Sequence, residues 1–285
     1  RTLDDSWDFV SFPFEVTSSN IFFAGTSTQA VWGNLNQSGT NVDFFAAEYS
    51  GANRANDASM VSPTNSKYFV SVNPQAFLAT KGYIITGGKQ NVPKTIDFVS
   101  STGTQLDFCN VTKTVYAYDA IGACNDGWNL VGIPYPADFN LKYATSLAPY
   151  YVYGTNSYST IAPNTTYRFN PFSAFFLQVF GASNATLTYD NTGLTDFTSG
   201  GAGGAPAYRL EDIVIEISDG SLSDNTLIRL QESATESFDT NMDGIKFLNS
   251  NTAIPQIYTE AEGACSGLAV NTLPNNTEMV NLKIR

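Results

Sequence analysis

The sequence predicts an all-β protein made of tandem antiparallel β-sandwich-like modules, of which the first two are related by internal duplication. Short runs of alternating, β-branched or aromatic residues recur along its 285 residues, separated by Gly, Asn, Asp and Pro clusters. This is the pattern of strands and turns, and helical periodicity is scarce. Two segments, "WDFVSFPF" at 7–14 and "WNLVGIPY" at 128–135, are nearly the same, which indicates a repeated unit.

The strand candidates follow one another without intervening helices, and this favours stacked antiparallel sheets. They are 7–12, 43–49, 68–72, 82–86, 95–99, 115–119, 128–133, 150–153, 174–179, 186–189, 212–217, 226–231, 244–247, 256–259, 267–270 and 278–284. A short helix is expected over 137–146, after "PYPADFN".

The repeat and one flexible segment define the predicted domains. The first module covers 1–105 and the second module covers 106–197, each with a Trp-led strand, a Tyr-containing strand, an aromatic run and a strand that closes in Thr-Gly. The segment "TSGGAGGAPA" at 198–207 is a Gly-rich linker, because nothing in it can pack. A more acidic β-sandwich-like C-terminal domain is expected over 208–285.

The repeated segment has the residues of a buried strand. We expect Trp7 and Trp128 to be buried at the centres of their sheets. The proline after each strand lacks an N–H and should end the ladder. Small residues at Ser11 and Gly132 allow another backbone or ring to approach closely. Nothing in the segment requires a ligand.

The composition restricts the choice of partners. Fourteen Lys and Arg against 26 Asp and Glu give a net charge of −12, which repels phosphate backbones and anionic lipids. We therefore expect no nucleic acid partner, and the absence of a long apolar run predicts no direct membrane insertion. Charged residues are only 14% of the chain, against a usual quarter, which is typical of extracellular β proteins.

The chain has no His, and this removes several classes of catalytic site. Ser-His-Asp and Cys-His nucleophile pairs and His-ligated zinc are excluded. A hydrolase with two carboxylates stays open, with Glu48, Asp97, Asp107, Asp119, Asp126, Asp138 and Asp190 as the acids beside aromatic residues, but no pair stands out. We expect the protein not to be an enzyme.

The three cysteines have neither a CxxC motif nor metal-site spacing. Cys109 and Cys124 bracket an alternating stretch that can form a hairpin, which predicts a disulfide in an oxidising compartment. Two buried thiols are the alternative. Cys265 is expected to be buried or bonded outside the chain.

Two groups of residues are candidate binding sites. Five tyrosines fall within eighteen residues and can stack on sugar rings if exposed, or pack within a sheet: Tyr150, Tyr151, Tyr153, Tyr158 and Tyr167. The segment "DTNMDG" resembles the first half of a calcium loop, with oxygen ligands at Asp239, Asn241 and Asp243. Ser250 stands where a bidentate Glu belongs, so an Asx-rich turn is the alternative. No cofactor is expected apart from this possible calcium.

Longer segments resemble a known family. "GWNLVGIPYPADFN", "YYVYGTNSYS" and "PFSAFFLQV" resemble a module of surface and secreted proteins that are exported by the type IX secretion system, and "WDFVSFPFEV" resembles a companion module. "RLEDIVIEI" and "TLIRLQESATESFDTNMDGIKF" resemble the β domain that often precedes their C-terminal sorting domain. The resemblance implies an extracellular or cell-surface location and supplies no catalytic residue.

These observations predict a non-catalytic extracellular structural or adhesive protein. We expect it to self-associate into fibres by strand exchange through its terminal strands, near 2–10 or 279–285, with other copies of itself or other surface proteins as partners. The alternative is a carbohydrate-binding accessory module of a larger secreted enzyme, with glycans as partners. Position 1 is Arg, and we expect the chain to be a processed piece of a longer protein.

Overall fold

A computed structural model describes the positions of most of the chain. The described ranges are 1–34, 42–57, 66–72, 76–87, 94–100, 108–118, 125–146, 151–153, 159–161, 166–194, 212–220, 222–248, 253–264 and 266–285. The predicted linker at 198–207 and the predicted boundary between 105 and 106 lie outside these ranges.

The first module consists of short strands and one turn of helix. Its elements are β1 (Thr2–Leu3), β2 (Asp8–Ser11), β3 (Val16–Thr17), β4 (Ile21–Phe23), β5 (Trp32–Gly33), β6 (Phe44–Tyr49), α1 (Gly51–Ala55), β7 (Phe69–Val70), β8 (Ala76–Phe77), β9 (Gly82–Thr86) and β10 (Lys94–Phe98). The strands pair in the orders β2-β9-β6-β5, β1-β10-β4 and β3-β8, and β7 also pairs with β6. The β5–β6 pair is parallel.

The second module follows with a similar set. Its strands are β11 (Val111–Val115), β12 (Trp128–Gly132), β13 (Phe139–Asn140), β14 (Ala144–Thr145), β15 (Tyr151–Tyr153), β16 (Ser159–Ile161), β17 (Arg168–Phe169), β18 (Ala174–Gln178) and β19 (Ala185–Tyr189). They pair in the orders β12-β18-β15-β16, β11-β19-β14 and β13-β17.

Each sheet of the first module has a counterpart with the same pairing order in the second. The order β2-β9-β6-β7 corresponds to β12-β18-β15-β16, β1-β10-β4 corresponds to β11-β19-β14, and β3-β8 corresponds to β13-β17. Even the 3₁₀ turn before β4 (Ser18–Asn20) recurs before β14 (Leu141–Tyr143). The predicted all-β fold and its internal duplication are therefore confirmed.

The two modules meet in a pseudo-twofold arrangement. An antiparallel bridge joins Val10 to Ser173, and a second one joins Val131 to Lys81. In the duplicated register Val131 is the counterpart of Val10, and Ser173 is the counterpart of Lys81, so the two bridges are equivalent. A contact in which each copy offers the same surface to the other is isologous.

Main-chain hydrogen bonds repeat this symmetry. The N–H of Ser11 donates to the carbonyl of Phe172 at 3.0 Å, and the N–H of its counterpart Gly132 donates to the carbonyl of Thr80 at 3.0 Å. Both acceptor residues have positive φ, 64° for Phe172 and 65° for Thr80. Such backbone is uncommon for residues other than glycine and is strained, and here it coincides with the inter-module hydrogen bond in both copies.

Close approach of β2 and β12 requires the small residues at their centres. Ser11 is fully buried, and its hydroxyl donates to the carbonyl of Ser173 at 2.7 Å. A Cβ built on Gly132 would collide with the Ser11 Cβ and would lie 2.6 Å from the Ser11 Oγ. The prediction that these two positions admit another backbone is confirmed.

The C-terminal domain is one six-stranded sheet. Its strands are β20 (Asp212–Ser218), β21 (Ser223–Leu230), β22 (Gly244–Ile245), β23 (Ile257–Thr259), β24 (Leu268–Leu273) and β25 (Leu282–Ile284). The order is β20-β21-β24-β23-β25, with β22 on β24, and the β21–β24 pair is parallel. β25 is exposed at one end of this order.

One aromatic core joins all three parts of the chain. Trp128 is 2% exposed, and its ring centroid lies 4.4 Å from that of Phe247 in the C-terminal domain. Phe176 packs against Phe9 of the first module and against Phe247, at 5.3 and 5.4 Å. The guanidinium of buried Arg54 lies 4.6 Å from the Trp128 ring centroid. These contacts hold the two modules and the C-terminal domain against one another.

Two local predictions were wrong. Trp7 is 37% exposed, because β2 begins only after it and Phe247 covers its counterpart Trp128 alone. The helix expected over 137–146 is a 3₁₀ turn between two short strands, in which the Asn140 side chain accepts a hydrogen bond from the N–H of Lys142. The hairpin between Cys109 and Cys124 stays a prediction, because β11 pairs with β19 and 119–124 lie outside the described ranges.

Candidate functional site

A cleft of about 410 Å³ opens beside β5. We call it the Trp32 cleft; it is lined by Ser18, Ser19, Ile21, Gln29, Ala30, Val31, Trp32 and Asn34. The half-buried Trp32 ring packs edge-to-face on Phe77 with centroids 4.1 Å apart. Gln29 is positioned by its Nε2, which donates to the carbonyl of Ser19 at 3.2 Å.

The lining of the Trp32 cleft combines an indole with hydroxyl and amide groups, and none of its lining residues is charged. Indole and phenol rings present an apolar body, whereas hydroxyls and amides supply donors and acceptors in fixed directions. A neutral ligand with one apolar face and a rim of hydroxyls, such as a sugar, matches this chemistry.

A second opening, of about 480 Å³, lies beside β10 where the two modules meet. We call it the β10 groove; it is lined by Arg1, Val10, Phe12, Phe14, Ile96, Asp97, Phe98, Val99, Ser100 and Phe172. The Phe12 ring lies 4.9 Å from the Phe98 ring and 6.3 Å from the Phe172 ring, centroid to centroid. The floor of the groove is therefore aromatic, with charged groups only at Arg1 and Asp97.

The five predicted tyrosines are only partly placed. Tyr151 and Tyr153 belong to β15, which pairs with β18 and β16, whereas Tyr150 and Tyr158 lie outside the described ranges. Tyr167 is half-buried, packs against the core of the second module and lies edge-on to Phe169 at 5.1 Å. A sugar-stacking role for this group stays a prediction, and Tyr167 has the contacts expected of a packing residue.

The predicted calcium loop is a hydrogen-bonded turn. Asp243 is fully buried, and its carboxylate accepts main-chain N–H groups from Asp239 at 2.8 Å and Thr272 at 2.7 Å. The Asp239 carboxylate accepts the N–H of Asn241 at 2.8 Å. This geometry favours the Asx-rich turn, and calcium binding stays a prediction. In the described ranges no group of three or more His, Cys, Asp and Glu residues is arranged to hold a metal.

Burial raises the pKa of Asp243 to about 6, against the opposing effect of the two N–H groups. Because this folded-state pKa lies above the ordinary value of 3.8, the folded protein binds the proton more tightly, and its stability should fall as pH rises from about 4 to 6. A carboxyl-carbon NMR titration is expected to give a midpoint near 6 that calcium does not change. A midpoint that calcium lowers would contradict the turn interpretation, and a midpoint at or below 4 would mean that burial does not dominate the pKa of Asp243.

A partly buried lysine also links the modules. Lys113 on β11 donates from Nζ to the Thr80 hydroxyl at 3.1 Å. Burial, and after it the charge of Lys81, lowers the pKa of Lys113 to about 8. Lys81 is itself paired with Glu48 at 2.7 Å. The Lys113–Thr80 hydrogen bond therefore joins the two modules, while burial and the charge of Lys81 disfavour the charged form of Lys113.

The acids considered for a two-carboxylate site have separate local partners. Glu48 pairs with Lys81, and Asp138 pairs with Arg168. Asp190 accepts the N–H of Thr192, whereas Asp107 and Asp119 lie outside the described ranges. This arrangement gives a hydrolase no support.

The cysteine prediction stays open. Cys109 is exposed, which disagrees with the alternative of two buried thiols, and both Cys124 and Cys265 lie outside the described ranges.

Within the described ranges, no helix has the length and apolar character needed to cross a membrane.

Sequence reasoning missed both openings. Trp32 stands in "AVWGN" without alternating neighbours, so only the presence of a Trp in a turn-rich segment pointed to it. The β10 groove depends on how the strands of the two modules pair, which the sequence does not show.

Comparison with protein families, curated proteins and solved structures finds no match to this chain.

Proposed function

We propose that the protein is a non-catalytic structural and adhesive component of an extracellular cell surface, which associates with other copies of itself through exposed strands. The observation that carries the proposal is β25. Its apolar side chains are uncovered, with Leu282 39% and Ile284 67% exposed, at an end of the C-terminal sheet. An apolar edge strand with open main-chain groups is a template for pairing with another chain.

The shared aromatic core supports the same proposal. Because Phe247, Trp128 and Phe176 lock the C-terminal domain onto the modules, an edge strand at one end has a fixed position relative to the rest of the chain. A rigid unit with an apolar edge strand that can pair with another molecule is suited to a fibre or a surface layer. The small fraction of charged residues, 14%, and the motifs that resemble type IX-exported proteins support export to the cell surface. Surface labelling of intact source cells would test this location.

Sedimentation velocity over a wide concentration range is expected to reveal concentration-dependent association. Ile284→Asp should abolish it, because a buried unpaired carboxylate opposes burial of the strand. Ile213→Asp is the matched control, since Ile213 is also an exposed isoleucine, 50% exposed, and lies at the other end of the same sheet order. A protein that stays monomeric at every concentration would contradict the proposal.

A second candidate function, carbohydrate binding, is favoured by the Trp32 cleft. Binding on a glycan array is expected to weaken about 2- to 10-fold in Trp32→Phe, which keeps the contact with Phe77 but shrinks the ring. Trp7→Phe is the control, because Trp7 is exposed and does not line the cleft. Absence of binding across the array, or equal loss in both variants, would remove this candidate.

A further inference from the structure

The duplication shows what occupies the equivalent of the β10 groove in the second module. There β11 covers β19 along five residue pairs, from Val111 opposite Tyr189 to Val115 opposite Ala185. Val111 packs against the module's core, and the hydroxyl of Tyr135 donates to the carbonyl of Cys109 at 2.9 Å. Under this cover Tyr135 and Tyr189 are fully buried.

In the first module the corresponding cover is shorter. β1 pairs with β10 only at Thr95 and Lys94, and main-chain hydrogen bonds between Arg1 and Ile96 extend it by one residue. Within the described chain no strand continues beside Asp97 and Phe98. The β10 groove is the space that the first half of β11 fills in the other copy.

The exposed side chains agree with this reading. Phe14 and Phe98, the counterparts of Tyr135 and Tyr189, are half-buried rather than buried, and Val99 is 45% exposed. An added strand would cover Phe14 and Phe98 on the inner face of β10 and would lie beside Val99 on the outer face. Among the described residues no strand covers this part of the aromatic floor, whereas β11 covers its equivalent in the second module.

The main chain of β10 defines which strand fits. Arg1 and Ile96 exchange both hydrogen bonds, at 2.7 and 2.8 Å, and bonded pairs alternate along an antiparallel ladder. The N–H and carbonyl of Phe98 therefore point into the groove. A strand that pairs there needs an apolar side chain on the residue opposite Phe98, because that side chain faces the aromatic floor.

β25 satisfies this requirement. Gln256 and Arg285 exchange both main-chain hydrogen bonds, at 3.1 and 2.9 Å. By the same alternation the main-chain groups of Leu282 and Ile284 point away from β23. The residues with open main-chain groups are thus the two apolar ones. β25 can pair along its outer edge without leaving its own sheet.

The position of Arg1 selects the register, because Arg1 already pairs with Ile96 and the added strand can reach only as far as Asp97. With Ile284 opposite Phe98 in an antiparallel pair, Leu282 lies opposite Ser100 and Arg285 lies opposite Asp97. Asp97 is exposed on the outer face of β10, so the two opposite charges meet beside solvent. The 282–285 segment carries two positive charges in a chain of net charge −12, which favours attraction to the rest of a second molecule.

We propose that β25 of one copy adds as an antiparallel strand to β10 of a second copy, with Ile284 opposite Phe98 and Arg285 opposite Asp97. This inference rests on the self-association proposed above and names its interface. Because the donor strand and the acceptor groove are different surfaces, the contact is head-to-tail and builds an open filament rather than a closed dimer.

Cysteine cross-linking between two variants tests the register. In the proposed pair Val99 and Lys283 are opposite each other at a non-bonded position, where side chains are close enough for a disulfide. Mild oxidation of a mixture of Val99→Cys and Lys283→Cys, both in a background in which Cys109, Cys124 and Cys265 are replaced by Ser, is expected to give a mixed dimer whose linked peptides mass spectrometry identifies. Thr26→Cys replaces Val99→Cys as the control, since Thr26 is exposed but lies outside the groove.

The outcomes separate the inference from the proposed function. A mixed dimer at least tenfold more abundant than in the control supports the inference. Equal yields, or no mixed dimer while the unmodified protein still associates, overturn the inference and leave self-association standing. If the unmodified protein does not associate at all, both fail. Filling of the groove by a segment that precedes Arg1 in a longer polypeptide would also overturn it.

A charge exchange gives an independent readout. Asp97→Arg or Arg285→Asp alone is expected to weaken association about 2- to 5-fold, the range of an exposed ion pair. The double variant should recover it, because the pair is restored with the charges reversed. If the double variant instead loses affinity by the product of the two single-variant factors, the register is contradicted, even if association through β25 remains.

Discussion

Gly132→Ser is expected to lower the free energy of unfolding by about 2–3 kcal/mol. The added Cβ would collide with the Ser11 Cβ and would lie 2.6 Å from the Ser11 hydroxyl oxygen. Neither strand can retreat easily, because the N–H of Gly132 is bonded to the carbonyl of Thr80 in the other module. Urea denaturation followed by tryptophan fluorescence measures the loss, since Trp128 begins the same strand.

A loss below about 0.5 kcal/mol for Gly132→Ser, the range of ordinary surface substitutions, would mean that β2 and β12 are not packed as described. The single variant Ser11→Gly is a useful comparison. It removes the hydroxyl that donates to the Ser173 carbonyl at 2.7 Å but creates no collision, and should cost about 1 kcal/mol.

Asp224→Asn is expected to destabilise the C-terminal domain by about 3–5 kcal/mol. Lys246 and Asp224 are both buried, with Nζ and Oδ1 2.6 Å apart. Burial already lowers the pKa of Lys246, and Asp224 opposes that effect. Without the carboxylate, the ammonium would be left in the interior with neutral acceptors alone, the new amide oxygen and the Asn225 carbonyl at 2.6 Å. Denaturation monitored by circular dichroism measures the change.

The double variant Asp224→Asn with Lys246→Met is the control for this prediction. It removes the uncompensated charge while it keeps the length of the side chain, and should recover most of the lost stability. If the single variant loses less than 1 kcal/mol, or if the double variant loses more than the single one, the ion pair does not act as described.

The parts of the fold that sequence predicted are those with repeated or alternating residues. Asp8–Ser11 and Trp128–Gly132 each lie in a nearly identical segment whose seventh residue is Pro, and both are strands that stop before that Pro. Gly82–Thr86 has the expected bounds because its five residues are all buried. Burial on both faces and β-branched composition leave a clear signal.

The strands that the sequence did not predict are too short to show a periodic pattern of apolar and polar residues. β3 and β8 contain two residues each, and pairing decides them rather than propensity. Trp7 and Trp128 occupy the same place in the repeat, yet only Trp128 is covered by Phe247. Their different burial depends on a residue more than a hundred positions away in the chain. A pattern of neighbouring residues cannot predict such a contact.

The candidate sites were less predictable than the fold. The tyrosine cluster and the "DTNMDG" segment were chosen because residue types gather in sequence, and two of their described members, Tyr167 and Asp243, pack inward. The Trp32 cleft collects residues from either side of β4, and the β10 groove depends on a difference between the two modules. The difference is evident only when β10 is compared with β19, which β11 covers in the second module.

The two modules pack as a pseudo-twofold pair through Ser11 and Gly132. The exchanged variant Ser11→Gly with Gly132→Ser tests it most directly, because a hydroxyl at position 132 would have the Lys81 carbonyl nearby, 3.2 Å from its Cβ, as Ser11 has that of Ser173. A double-mutant cycle by urea denaturation is predicted to place the exchanged protein within about 1 kcal/mol of the original, with a favourable coupling of about 2 kcal/mol. Losses that add without coupling would contradict the claim.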